Sequence, residues 1–199
     1  MYIPEPGPLT PQKSNVLSRA TGRLLLAAIR WQIKGKMLNA PKFVMVLAPH
    51  TSIWDFYVAM AGKLAVGLHS SWLISAAYTW CPLGVFLRRL GGIPIYRDGT
   101  HNLVSQLVES FDNSEKMMIT LFPEGTRRKV GKWKTGFWHI ASQAGIPIQL
   151  VSIDYEKRIT ECGPVIEPSS NIEADMKIIQ EYFKSVRAKY PDKFGGEYL

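Results

Sequence analysis

Hydrophobic and polar positions alternate in blocks that change period along the chain. Continuous apolar or β-branched runs at 42–48 (KFVMVLA), 71–76 (SWLISA), 93–96, 117–122 (MMITLF), 148–153 (IQLVSI) and 158–166 predict strands. Amphipathic stretches at 53–66, 82–90, 100–113, 135–144 and 171–188 predict helices between them. Strands alternating with helices imply an α/β fold, a single-domain mixed, largely parallel sheet flanked by helices. The first forty residues read differently. A Pro-rich lead-in of about a dozen residues, expected to be flexible, precedes an amphipathic pattern that predicts one helix over 14–38. The division is therefore 1–38, lead-in and amphipathic helix, and 39–199, an α/β domain.

At about 100° per residue, Arg19, Arg23, Arg30 and Lys34 of that first helix fall within roughly 60° of one another. Leu17, Leu24, Ala28 and Trp31 lie on the opposite side. Such a stripe suits a helix lying in a membrane surface, cations on lipid phosphates and apolar side chains among acyl chains. It equally suits a helix packed on its own domain with a solvated basic face. The longest aliphatic runs, 24–29 and 43–48, are six residues each, whereas a spanning helix needs about 20. Nothing resembles a secretory signal at the start.

Charge narrows the partners. The 199 residues carry 24 Lys and Arg against 16 Asp and Glu, a formal net charge of +8. Six bases against Glu5 alone lie in residues 1–40, and five more with no acid lie in RRKVGKWK, 127–134. An anionic partner follows: a phosphorylated substrate, a lipid surface or nucleic acid. Cys81 and Cys162 are too few for a disulfide framework and have no zinc spacing, and His69, His101 and His139 form no metal set, so no metal is expected.

Candidate chemistry sits at strand ends. Pro49-His50-Thr51-Ser52-Ile53-Trp54-Asp55 follows the first long strand. Ser52 and Asp55 have the spacing of a helix-capping box. On one continuous helix His50 and Asp55 would lie about 140° apart; across a loop-to-helix junction the carboxylate can fold back on the imidazole. A His held by a carboxylate is a general base; the other reading is that Asp55 only caps the helix. No G-x-S-x-G elbow occurs, so the group losing its proton is read as a substrate hydroxyl. Gly92-Ile93-Pro94-Ile95-Tyr96-Arg97 and Phe122-Pro123-Glu124-Gly125-Thr126-Arg127 each deliver an arginine from a Gly-containing turn, suited to phosphate. Taken singly, either is equally a strand-ending turn with solvated charge. Gly125 to Gly131-Lys132 misses the phosphate-loop spacing by one residue, with Trp133 where Ser or Thr should stand, so a P-loop NTPase is rejected.

These blocks in this order, with Gly145-Ile146-Pro147-Ile148 as a fourth, resemble the glycerolipid acyltransferase family, whose familiar members are the 1-acyl-glycerol-3-phosphate acyltransferases. His50–Asp55 matches its H-x4-D block and Glu124–Arg127 its E-G-T-R block. The resemblance implies that His50 deprotonates the acceptor hydroxyl and that Asp55 orients it. It implies that Arg97 and Arg127 hold the acceptor phosphate, that Glu124, Gly125 and Thr126 shape that pocket, and that Pro147 walls the acyl donor. Pro49 stands where the family often has Asn, and Leu150 where it often has a second proline. The implied reaction moves a fatty acyl group from a thioester of coenzyme A or acyl carrier protein to a lysophosphatidic-acid-like hydroxyl, in phospholipid biosynthesis. No cofactor is needed beyond that co-substrate. The partners are a lysophospholipid, the acyl thioester and a membrane surface, on whose cytoplasmic face the protein would sit as a peripheral or monotopic enzyme. Another lysolipid or amino-lipid acceptor, or a catalytically silent lipid-binding protein, is the alternative. Nucleic-acid binding through RRKVGKWK, with its Trp stacking on a base, is set aside.

Overall fold

The structure is a computed structural model that describes residues 3–75, 82–95 and 103–195. Among these, seven strands form one sheet: β1 (Gln32–Gly35), β2 (Lys42–Ala48), β3 (Ser71–Ser75), β4 (Gly92–Ile95), β5 (Met117–Leu121), β6 (Ile148–Asp154) and β7 (Ile159–Ile166). Their order is β1-β7-β6-β2-β5-β3-β4. All neighbouring pairs are parallel except β6–β7, which is antiparallel. The helices are α1 (Val16–Ala28), α2 (Ile53–Val66), α3 (Pro82–Arg89), α4 (Leu103–Asp112), α5 (Gly136–Ala144) and α6 (Ile172–Lys184). The α/β reading of the sequence holds, and its strands and helices from residue 42 onward agree with these elements apart from their ends.

Strand β2 is apolar throughout because both its faces are covered. Phe43, Met45 and Leu47 pack with Leu26 of α1 and Val58, Ala61 and Ala65 of α2. Val44, Val46 and Ala48 pack on the other face with residues of α4, α5 and α6, among them Phe111, Phe137 and Phe183. Leu150, standing where the family often has proline, is fully buried in this second core. Buried Gln149 breaks the apolar run of β6. Its amide accepts from Leu38 N (3.0 Å) and donates to Lys36 O (2.9 Å), pinning the segment that leads into β2.

The N-terminal forty residues depart most from expectation. Helix α1 ends at Ala28, and Arg30 adopts a left-handed backbone, φ 53°. Residues 32–35 then form edge strand β1. Lys34 therefore lies outside the helix, and the four-residue basic stripe does not form. Trp31 is buried, its indole donating to Thr160 Oγ1 at 2.9 Å. Gly22 and Leu26 face the protein instead, and a Cβ on Gly22 would stand 2.3 Å from Ala65 N, so α1 and α2 touch backbone to backbone. The opposite side of α1 is apolar and bare: Val16, Leu17 and Leu24 are 87%, 76% and 70% exposed. The lead-in is packed too. Thr10 Oγ1 donates to Leu38 O at 2.7 Å, and Gln12 bridges Leu68.

Candidate active site

The site forms where β2 hands over to α2. Ser52 is the N-cap: its hydroxyl accepts from Trp54 N at 3.2 Å, and Asp55 returns a carboxylate to the cap backbone. The Ala48–Pro49 peptide before it is cis. Asp55 is wholly buried. Its Oδ2 accepts from Thr51 N (2.7 Å), Ser52 N (2.8 Å) and His50 Nδ1 (3.1 Å). Its Oδ1 accepts from the Tyr155 hydroxyl at 2.7 Å. Buried polar oxygens need such donors in place of lost hydration. Capping and imidazole contact are thus simultaneous, one residue doing both.

With Nδ1 committed to Asp55, Nε2 is the nitrogen of His50 left for a substrate. The ring is 17% exposed and stacks on Phe122 with centroids 3.9 Å apart and planes 16° from parallel. Its backbone N–H donates to Glu124 Oε1 at 2.7 Å. Glu124 is buried, and its Oε2 has no hydrogen-bond partner among the described residues. Burial is the main reason its carboxyl is pushed up to about 7, with the Asp55 charge adding to the effect.

His50, Phe122, Glu124, Gly125, Thr126 and Arg127 line one cavity of about 1070 Å³. Gly125 has φ 63°, the left-handed turn that brings Lys134 against the loop. Away from this polar end the wall is apolar: Ile33, Met37, Met45, Leu47, Val58 and Val66 line the part beneath α2. Lys63 also lines it, donating to the carbonyls of Ser70 (2.6 Å) and Leu90, and burial pushes its ammonium down to about 8. Cys162 lines it as an inert thiol, pushed up to about 12 by burial.

The structure therefore brings together His50, Asp55, Glu124, Gly125, Thr126 and Arg127. Arg97 and Cys81 lie outside the described residues. Pro147 is not brought to the cleft. It precedes β6, its carbonyl accepting from Val44 N, at the end of the parallel β2–β6 pair opposite His50. The Ile-Pro-Ile pattern marks a strand entry, and a strand of seven residues separates its two ends by roughly 20 Å. Residues given no role in the sequence reading are Tyr155, Thr51, Phe122 and Lys63. Tyr155 lies in the turn after β6, a hundred positions from Asp55, with no local pattern to reveal it.

An acyltransferase family profile matches residues 30–154. That is well over half of the chain, and the protein belongs to the acyltransferase family. Among its relatives is the 1-acyl-sn-glycerol-3-phosphate acyltransferase of Haemophilus influenzae, 38% identical over 76 residues. The match covers 35% of this chain and spans about a third (31%) of that relative's length. The crystal structure of the 1-acyl-sn-glycerophosphate acyltransferase PlsC from Thermotoga maritima superposes with a TM-score of 0.62 at 18% identity, covering 84% of this chain and 76% of that one. The fold is of that kind. No helix among the described residues is long and apolar enough to cross a membrane.

Proposed function

We propose that the protein transfers a fatty acyl group from an acyl thioester to the hydroxyl of a lysophosphatidic-acid-like acceptor at a membrane surface. The observation that carries this is His50, held by Asp55, lining a cavity whose wall beneath α2 is largely apolar. The relative named above as a 1-acyl-sn-glycerol-3-phosphate acyltransferase supports the same acceptor class.

In this reading His50 Nε2 removes the acceptor's hydroxyl proton as the oxygen attacks the thioester carbonyl. The imidazolium so formed is held against Asp55. The tetrahedral intermediate collapses, the C–S bond breaks, and the departing thiolate takes the proton back. No acyl-enzyme is required, and holding the two substrates together supplies much of the rate. Arg127 grips the acceptor phosphate, a role the proposal also gives to Arg97, while Gly125 and Thr126 shape the turn that presents Arg127. The unpartnered oxygen of Glu124 accepts from an acceptor hydroxyl. The apolar lining beneath α2 takes the acyl chain.

The bare apolar side of α1, with exposed Ile53, Trp54 and Tyr57 at the start of α2, seats the protein on the bilayer. Coenzyme A and carrier-protein thioesters are cytoplasmic molecules, which places that surface on the cytoplasmic leaflet. The test is product analysis with labelled acyl-coenzyme A and acyl carrier protein against a panel of lysolipids, using wild type and His50→Ala. Phosphatidic acid formed by wild type and reduced by about 100-fold or more in the variant is expected. Equal turnover by the two proteins would remove His50 from the chemistry, and product from other acceptors alone would replace the substrate.

A further inference from the structure

Asp55 has two oxygens, and the contacts that tie it to helix start and imidazole all fall on one of them. Oδ2 takes Thr51 N, Ser52 N and His50 Nδ1, while Oδ1 takes only the phenol of Tyr155, at 2.7 Å. We propose that Tyr155 is a positioning residue of the acyl transfer: its hydroxyl fixes the plane of the Asp55 carboxylate so that Oδ2 stays on His50 Nδ1. The inference rests on the reading of His50 and Asp55 as the base pair, and goes beyond it by giving that pair an anchor a hundred residues further along the chain.

The phenol is held from three sides. Tyr155 N donates to Arg187 O at 2.8 Å. The ring meets Trp31 edge-on, centroids 5.0 Å apart and planes at 75°. Lys189 Nζ lies 5.3 Å from the Tyr155 ring and 5.1 Å from that of Trp54. The same chain segment after α6 also reaches the catalytic loop directly, where Tyr190 N donates to Thr51 Oγ1 at 3.3 Å. None of the ring contacts needs a hydroxyl. A phenylalanine would keep them all, so the hydroxyl's work is confined to Asp55.

That hydroxyl is a dependable donor. Burial first, and then its bond to Asp55, push its ionisation well above the ordinary tyrosine range. The titratable groups facing the pair are His50 on the loop before α2, Glu124 at the end of β5, and Lys189 and Tyr190 after α6.

The experiment compares wild type, Tyr155→Phe, Asp55→Asn and the double variant as full chains, with palmitoyl-coenzyme A and lysophosphatidic acid on anionic vesicles. Tyr155→Phe is expected to lower kcat by about 10-fold or more and to leave both KM values within about twofold. Because the hydroxyl acts through Asp55, the double variant is expected to be no slower than Asp55→Asn alone. A Tyr155→Phe enzyme with wild-type kcat overturns the proposal, as does a loss confined to KM or one fully additive with Asp55→Asn. If Asp55→Asn itself turns over like wild type, the base-pair reading fails instead, and the proposal with it. A circular-dichroism melt of each variant separates loss of fold from loss of positioning.

Discussion

Glu124→Gln isolates the energetic cost of keeping a carboxyl group inside the cleft. Glu124 is buried and donates nothing when ionised; one oxygen accepts from His50 N and the other has no partner. Its carboxyl is raised from 4.5 to about 7, chiefly by burial. The folded state therefore holds a proton across that window which the unfolded chain has already released. By linkage, stability falls as pH climbs from about 4.5 to about 7 and stays reduced above it. A shift of this size corresponds to about 3 kcal/mol as an upper bound. Glutamine keeps the acceptor for His50 N and cannot ionise. Urea unfolding at a series of pH values gives the difference between variant and wild type at each. Near pH 4.5 the two proteins should be close in stability; at pH 8 the variant should be the more stable by up to about 3 kcal/mol. A difference that does not change with pH would show that Glu124 titrates as it would in water, and the argument from burial would be wrong.

Two further perturbations address the substrate and the surface. Arg127→Ala should raise the acceptor KM by roughly 10- to 100-fold, the worth of a charge-assisted bond to phosphate, and leave the donor KM nearly unchanged; equal rises in both would refute its phosphate role. Leu17→Glu with Leu24→Glu should abolish co-sedimentation with anionic vesicles, and because both side chains already face outward, the melting temperature should shift by no more than about 2 °C. Sedimentation equal to wild type would show that α1 does not carry the membrane contact.

What could be read from the sequence was what lies close together in it. The strand-to-helix junction is legible because His50, Ser52 and Asp55 occupy six consecutive positions, where spacing alone tests whether side chains meet. The loop from Glu124 to Arg127 is legible for the same reason. Tyr155 is not, since it meets Asp55 across a hundred residues and sits in a turn that looks like any other. The first helix misled for a physical reason. Hydrophobic residues continue past Ala28, but from Trp31 to Lys34 they alternate with polar ones, the period of a strand, and Arg30 turns the chain between the two. The basic stripe was a projection of two different elements onto one wheel. Gly22 carried a signal of its own, a glycine inside a helix with no turn to make, explained only by the backbone of α2 against it.

The two readings of Asp55 offered by its spacing were alternatives only while the residue was treated as having one face. A carboxylate has two oxygens and about four lone pairs, and here the helix cap uses some, the imidazole another, and the phenol of Tyr155 the far side. Making the helix start and contacting the histidine with the same group ties the position of His50 to the start of α2. That helix is held in turn by α1 at Gly22 and by the sheet through Val58, Ala61 and Ala65. In the proposed mechanism, preorganisation at His50 would therefore come from core packing some distance away, and a substitution at the α1–α2 contact would reach the chemistry by loosening the frame on which His50 stands.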